Sequence, residues 1–123
     1  MQDNKTNRVF FSACLTEGYR SCAKDIKNAL RENGIVVEKK IRNTKDIWAR
    51  DYMPIQIGEN KFMRYMYRPD YLWKVESNRQ YITDNAQCDF LTGKEIVDCN
   101  IVLDGGNVVI CGNKMILTEK VFT

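Results

Sequence analysis

Residues 45–54, with the sequence KDIWARDYMP, concentrate side chains that suit a cationic, planar ligand. The segment holds an indole, a guanidinium and two carboxylates, at Trp48, Arg50, Asp46 and Asp51. An aromatic ring offers its negative face to a cation, and a carboxylate accepts two parallel N–H bonds from a guanidinium. Since a hydrogen bond to a charged partner contributes about 1.5–3 kcal/mol, one aspartate can dominate recognition. The alternative is an Arg50–Asp51 ion pair on a solvated loop, with Trp48 filling the core.

A second segment, LDGGNVVICG at residues 103–112, places two adjacent glycines after a predicted strand. Gly105 and Gly106 carry no Cβ, so the backbone there can turn tightly or approach a ligand closely. The third glycine and the following helix of a dinucleotide-binding fingerprint are absent. Taken alone, the pair fits a plain hairpin or bulge, and Asp104 beside it is a ligand, a turn-former or an exposed side chain.

The sequence contains no histidine, which excludes several classes of catalytic site. These residues alone cannot form a Ser-His-Asp triad or a Cys-His pair. They also cannot form a zinc site that uses histidine. The five cysteines show no metal-ligand spacing, so we expect reduced, mostly buried thiols and no metal centre. Cys14, Cys22 and Cys111 lie in apolar patterns that predict packing in the core, whereas the sequence indicates nothing for Cys88 and Cys99.

Together the two segments resemble the agmatine deiminase and bacterial peptidylarginine deiminase family, which belongs to the guanidine-modifying, or pentein, superfamily. The resemblance is most specific at Trp48-Ala49-Arg50-Asp51, which is followed by LDGGN and then by KMILTEKVF. It implies an α/β fold, part of a pentein-type propeller of ββαβ modules around a central active site. Residues 1–123 would form one N-terminal, incomplete segment of that domain.

The resemblance also implies roles for individual residues and a reaction. Asp51 matches the carboxylate that holds the substrate guanidinium, and Trp48 and Arg50 match flanking positions that shape the pocket. The segment expected to line the same centre, in a more structural role, consists of Asp104, Gly105, Gly106 and Asn107. The family hydrolyses a guanidinium to a ureido group and ammonia, using a thiolate nucleophile and a histidine as general acid and base.

This chain departs from the family at the residues that perform the reaction. The family histidine and nucleophilic cysteine lie downstream of the Gly-Gly segment, beyond the last residue here, Thr123. Cys111 follows Ile110 rather than a histidine, so we expect no catalytic residue in this segment. The leading hypothesis is therefore the N-terminal, guanidine-binding part of a deiminase, inactive by itself. The alternative is a non-catalytic pentein-like module that binds a cationic guanidine ligand.

The first 37 residues carry the signals of a strand-helix-strand unit. The apolar run VFFSACL at residues 9–15 predicts a buried strand. A helix is predicted from Thr16, with apolar residues at helical spacing, and Gly34 is suited to end it. Residues 35–37 predict a second strand, so the unit has the order expected of an α/β fold.

The remaining sequence predicts strands and turns. Residues 54–57 and 61–67 flank Gly58-Glu59-Asn60 and predict a hairpin. Further strands are predicted at 101–103, 108–111 and 115–117, and a helix or long loop at 78–91. Interleaved aromatic and basic residues at 64–74 are typical of nucleic-acid stacking platforms. Here they carry only three basic residues, which favours a strand followed by a packed loop.

Composition and charge limit the partners. The chain is 44% hydrophobic and 28% charged with a net charge of +3, which is typical of a globular protein and too small to indicate nucleic-acid or membrane binding. Residues 9–15 are too short and too interrupted for a secretory signal, so we expect a cytoplasmic protein. The expected partner is a small-molecule or peptidyl guanidine, without a cofactor. Self-association through exposed propeller edges is also expected.

Overall fold

The computed structural model describes residues 5–87 and 91–122 and shows a mixed α/β fold with small sheets and several short helices. The strands are β1 Arg8–Val9, β2 Val36–Val37, β3 Ile55–Gln56, β4 Lys61–Tyr67, β5 Glu95–Leu103, β6 Val108–Cys111 and β7 Lys114–Leu117. The α-helices are α1 Ala13–Gly18, α2 Arg20–Glu32, α3 Ala49–Tyr52 and α4 Asp70–Trp73. Short 3-10 helices cover Glu76–Tyr81, Gly105–Asn107 and Glu119–Phe122.

The predicted strand-helix-strand unit at the N-terminus is confirmed. β1 and β2 pair in parallel, with Val9 opposite Val37, and α1 and α2 form the connection between them. α2 ends at Glu32, and Gly34 follows in the left-handed conformation with a φ of 71°. The glycine therefore ends the helix for the predicted reason, since a side chain is disfavoured at that φ.

The prediction of a strand over residues 9–15 is wrong beyond Val9. The Ser12 side chain accepts a hydrogen bond from the Leu15 backbone N–H at 2.9 Å and caps α1, which begins at Ala13. The helix thus starts three residues before the predicted Thr16. An apolar run does not distinguish a buried strand from a helix, and the capping serine inside the run decides for the helix here.

The central sheet has the order β3-β4-β5 and carries the predicted hairpin. β3 and β4 are antiparallel, whereas β5 runs parallel to β4 and begins six residues before the predicted strand at 101–103. The additional residues of β5 pair along β4, where Lys61 and Arg64 form ion pairs with Glu95 and Asp98. Because these residues are charged and exposed, they do not form the apolar run by which a strand is predicted from sequence.

The other predictions for the second half have mixed outcomes. β6 and β7 form an antiparallel hairpin, which confirms both predicted strands, and Gly112 turns between them with a φ of 60°. Within 78–91, the structure shows a 3-10 helix to Tyr81 and no α-helix over 82–87, while 88–90 lie outside the described residues. After the confirmed β4, α4 leaves Tyr71 57% exposed, whereas the Trp73 ring packs against the guanidinium groups of Arg68 and Arg79.

The core lies between α3 and the central sheet. Its buried side chains are Ile41, Tyr52, Ile55, Tyr65, Tyr67, Leu103 and Val108. The rings of Tyr52 and Tyr67 pack edge to face, with centroids 5.8 Å apart. Among the residues that the structure describes, no helix combines the length and the apolar composition required to cross a bilayer.

The expectation of mostly buried thiols is wrong for the described cysteines, which are all free. Cys22 and Cys111 are exposed, and Cys14 and Cys99 are half-buried. α2 buries Ala23 instead, and consecutive helical residues point about 100° apart, which turns the thiol of Cys22 toward solvent. Cys111 lies at the exposed end of β6. Cys88 lies outside the described residues.

Candidate cation-binding site

The two sequence motifs meet in the structure, where α3 packs against the 3-10 turn Gly105–Asn107. A Cβ on Gly105 would overlap the Arg50 carbonyl oxygen and lie 2.6 Å from the Tyr65 hydroxyl. A Cβ on Gly106 would lie 2.6 Å from Asp51 Oδ1. Gly105 is therefore required by the close approach of the α3 backbone, whereas at Gly106 the new Cβ would meet only the far end of the Asp51 side chain.

Hydrogen bonds from three sides fix the backbone of α3. The Tyr65 hydroxyl donates to the carbonyl oxygens of Asp51 and Met53, at 2.6 and 3.1 Å. The Arg50 guanidinium donates to the Val108 carbonyl oxygen at 2.9 Å. The buried Asn85 amide donates to the carbonyl oxygens of Tyr52 and Tyr65. Asp51 is therefore held on a short but well-anchored turn.

Three carboxyl groups face one another at this junction. Asp104 caps the 3-10 turn by accepting the Gly106 N–H at 2.9 Å, and Asp46 accepts the Trp48 N–H at 2.8 Å. Burial raises the pKa of Asp51 to about 6, and the charge of Asp104, a hydrogen bond with Asp104 and the charge of Asp46 add to the shift. The Gly106 N–H opposes it. We refer to Asp46, Asp51 and Asp104 as the acidic cluster.

The acidic cluster lacks a cation from the described part of the chain. None of the ion pairs there includes Asp46, Asp51 or Asp104. Burial and the nearby Asp104 also raise the pKa of Asp46. Carboxyl groups that crowd together without a cation resist ionisation, and an external cation relieves this cost.

Two tyrosines adjoin the acidic cluster from the central sheet and the segment after it. Burial, followed by the charge of Asp46, raises the pKa of Tyr67 far above its usual range. Burial also raises the pKa of the more exposed Tyr71; a hydrogen-bonding interaction with the Tyr67 phenol opposes this shift, and the cluster carboxylates add to it. Both phenols are therefore neutral at physiological pH and act as hydrogen-bonding groups, not as charges.

The structure brings together most of the residues that the sequence singles out. Asp51 and Asp104 share the cluster, and Trp48, whose backbone N–H bonds to Asp46, has 63% of its surface exposed. The alternative in which Trp48 fills the core is therefore wrong. Arg50 directs one donor at a backbone carbonyl, and Asn107 is exposed, with its N–H bonded to the Asp104 carbonyl oxygen.

Tyr65 and Tyr67 were not identified from the sequence as parts of this site. They alternate along β4 and point to the same face of the sheet, as residues two apart in a strand do. The same alternation could have identified them, because it places both rings on the face that packs against α3.

The fold and the site define a mixed α/β protein with a half-buried acidic cluster beside an exposed indole. In the described part of the chain, no three His, Cys, Asp or Glu side chains are arranged to hold a metal ion. Comparisons with models of known protein families, with curated proteins and with solved structures found no match for this chain.

Proposed function

We propose that this chain is the guanidinium-binding part of a deiminase of the agmatine or bacterial peptidylarginine type. Its fold would be the N-terminal segment of a pentein α/β propeller. The observation that carries the proposal is the packing of Asp51 against Gly106, which places the Trp-Ala-Arg-Asp and Asp-Gly-Gly motifs in one acidic site.

Electrostatics supports a cationic ligand. Asp51 and Asp104 are close enough to hydrogen-bond, and their mutual repulsion disfavours the doubly ionised state. A bound guanidinium would neutralise this repulsion and give each carboxylate N–H donors in a matching plane. The exposed Trp48 ring would offer a face for the same planar cation.

The proposed division of labour follows from the residues present. Asp51 and Asp104 would bind and orient the guanidinium, while Gly105 and Gly106 allow α3 to approach. Arg50, bonded to the Val108 carbonyl oxygen, would hold the turn in place. The sequence contains no histidine, so the proton transfers of guanidine hydrolysis would need residues outside these 123. A cytoplasmic setting is part of the proposal, supported by the free thiols.

A second candidate is a non-catalytic module that binds a guanidine ligand. It is favoured by the same combination of a complete acidic cluster and a sequence without histidine. The native reading frame separates the two candidates. A continuation that encodes a His-x-Asp segment and a later cysteine supports the deiminase, and a native stop after Thr123 supports the binding module.

Calorimetric titration of the chain with agmatine tests the binding function common to both candidates. We expect binding at neutral pH, weakened at least tenfold in Asp51→Asn, since one hydrogen-bonded ion pair contributes about 1.5–3 kcal/mol. Asp98→Asn is the matched control, because Asp98 is an exposed carboxylate already paired with Arg64. Absence of binding at millimolar agmatine, or equal losses in both variants, would contradict the proposed function.

A further inference from the structure

A cavity of about 460 Å³ opens where the pairing of β4 and β5 is irregular. Between two regular pairs, Tyr65 alone on β4 stands opposite residues 99–101 on β5. Cys99 and Asn100 of this bulge line the cavity. Bulges often occur beside functional sites, because they interrupt the backbone ladder and redirect side chains. The volume lies within the range of about 300–1,000 Å³ that is typical of small-molecule sites.

Arg68 supplies a positive charge to the wall of this cavity. Its guanidinium lies over the Trp73 ring, with Cζ 4.8 Å from the ring centroid. Stacking uses the face of a guanidinium and leaves the N–H donors at its edge for other partners. None of the ion pairs within residues 5–87 and 91–122 includes Arg68. The cavity therefore has a charged donor group that is held in place without being used in an ion pair there.

Two carboxylates also line the cavity, and each already accepts hydrogen bonds from the protein. Asp98 accepts two from the Arg64 guanidinium, at 2.7 and 3.1 Å. Asp84 accepts one from the Ala86 backbone N–H at 3.0 Å and one from the Gln87 side-chain amide at 2.6 Å. These donors offset the repulsion that the two acids would exert on an anion near Arg68.

We propose that this cavity binds a small organic oxyanion, whose carboxylate or phosphate group accepts hydrogen bonds from the Arg68 guanidinium. A planar guanidinium suits both groups, because it offers parallel N–H donors. The apolar side chains of Met66, Trp73 and Ile82 also line the cavity and would contact the body of the ligand. The inference is independent of the cation-binding function proposed for the acidic cluster.

Calorimetric titration of the chain with phenyl phosphate, benzoate and inorganic phosphate tests the proposal. At least one of the two aromatic anions should bind about tenfold more tightly than inorganic phosphate, because only these anions carry an apolar part that the cavity can bury. The tighter of the two identifies the preferred oxyanion. Absence of binding by both at millimolar concentration would overturn the proposal, and so would equal affinity for inorganic phosphate.

Arg68→Gln should weaken binding of the aromatic anion about tenfold, because it removes a charged hydrogen-bond donor. Arg79→Gln is the matched control, since Arg79 also lies over the Trp73 ring, at 4.6 Å, but does not line the cavity. Its affinity should equal that of the unmodified chain. Equal losses in the two variants would indicate a general effect of charge and overturn the site.

The reactivity of Cys99 toward a maleimide shows where the anion binds. Cys99 is half-buried in the cavity wall, whereas Cys22 and Cys111 are exposed and do not line it. The aromatic anion, at about ten times its Kd, should slow modification of Cys99 about tenfold and leave the other two rates unchanged. An unchanged rate at Cys99 despite binding would contradict the proposed location.

Discussion

The pKa of an aspartate is shifted in opposite directions at the acidic cluster and at the outer edge of the central sheet. On β5, Asp98 accepts two hydrogen bonds from Arg64, at 2.7 and 3.1 Å, and this pairing lowers its pKa. At the acidic cluster, burial and the neighbouring Asp104 raise the pKa of Asp51 to about 6. The first carboxylate is paired with a cation, whereas none of the ion pairs among the described residues includes the second.

The difference is the one expected if the Arg64–Asp98 pair serves stability and the acidic cluster has the proposed binding function. Exposed pairs such as Arg64–Asp98 contribute about 0–1 kcal/mol and help to fix the register of a strand. The acidic cluster reduces the stability of the ligand-free fold, a cost that is typical of binding sites. Under the proposed function, the ligand would supply the cation.

The largest expected effect is on the junction that creates the cluster. Gly105→Ala would force its new Cβ into the Arg50 carbonyl oxygen, which cannot move without displacing α3. We expect a loss of about 3 kcal/mol in the free energy of unfolding, measured with urea. Gly18→Ala is the control, because nothing lies within 4 Å of its new Cβ. Equal stability of Gly105→Ala and the unmodified chain would contradict the described packing.

Gly106→Ala should separate binding from stability at the same junction. Its Cβ would meet the far end of the Asp51 side chain, which can rotate away at little cost. Stability should change little, while agmatine affinity should fall about tenfold because the carboxylate is displaced. If Gly106→Ala keeps full affinity, Asp51 does not need its observed position to bind.

The pH dependence of the free energy of unfolding should show the cost of ionising Asp51 within the acidic cluster. The folded-state pKa of Asp51, about 6, exceeds the unfolded value of about 3.9, so the folded state holds more protons between these limits. Stability attributable to Asp51 is thus lost as the pH rises through this window. Allowing for solvent screening at this half-exposed group, the loss is about 1 kcal/mol.

The Asp51→Asn variant has no ionisable group at this position, so it lacks the pH-dependent loss of stability that is expected from Asp51. Urea unfolding from pH 4 to pH 7 should show the variant gaining about 1 kcal/mol relative to the unmodified chain as the pH rises. Asp98→Asn should show no such gain, because Arg64 lowers the pKa of Asp98 instead. A constant difference between Asp51→Asn and the unmodified chain across this range would mean that Asp51 is not strained.

The smallest expected effect concerns association. Val109 and Ile116 lie opposite each other on the β6–β7 hairpin and are both exposed, Ile116 by 61%. We expect concentration-dependent self-association in light scattering, reduced by Ile116→Lys. The same mass at every concentration for both proteins would contradict this prediction.

The local structure could be predicted from the sequence where a single residue type or turn motif determines it. The end of α2 was predictable from Gly34, and the hairpin around residues 58–60 and the β6–β7 turn were predictable because turn residues stand between apolar strands. The start of α1 was not, since Ser12 serves as a cap within an apolar run. Most of β5 was also missed, because its exposed charges pair with those of β4.

The candidate site was predictable in part. The meeting of Asp51 with the Gly-Gly segment was expected from the resemblance alone, because no spacing rule links residues so far apart in sequence.

The most direct test of the central claim is the number of protons released when agmatine binds. Calorimetry at pH 6 in two buffers with different ionisation enthalpies measures this number. If the cation binds to the acidic cluster, Asp51 must ionise, and at a pH near its pKa about half a proton should be released per ligand. Asp51→Asn should abolish the release. Agmatine binding with no proton release, unchanged in Asp51→Asn, would contradict the account.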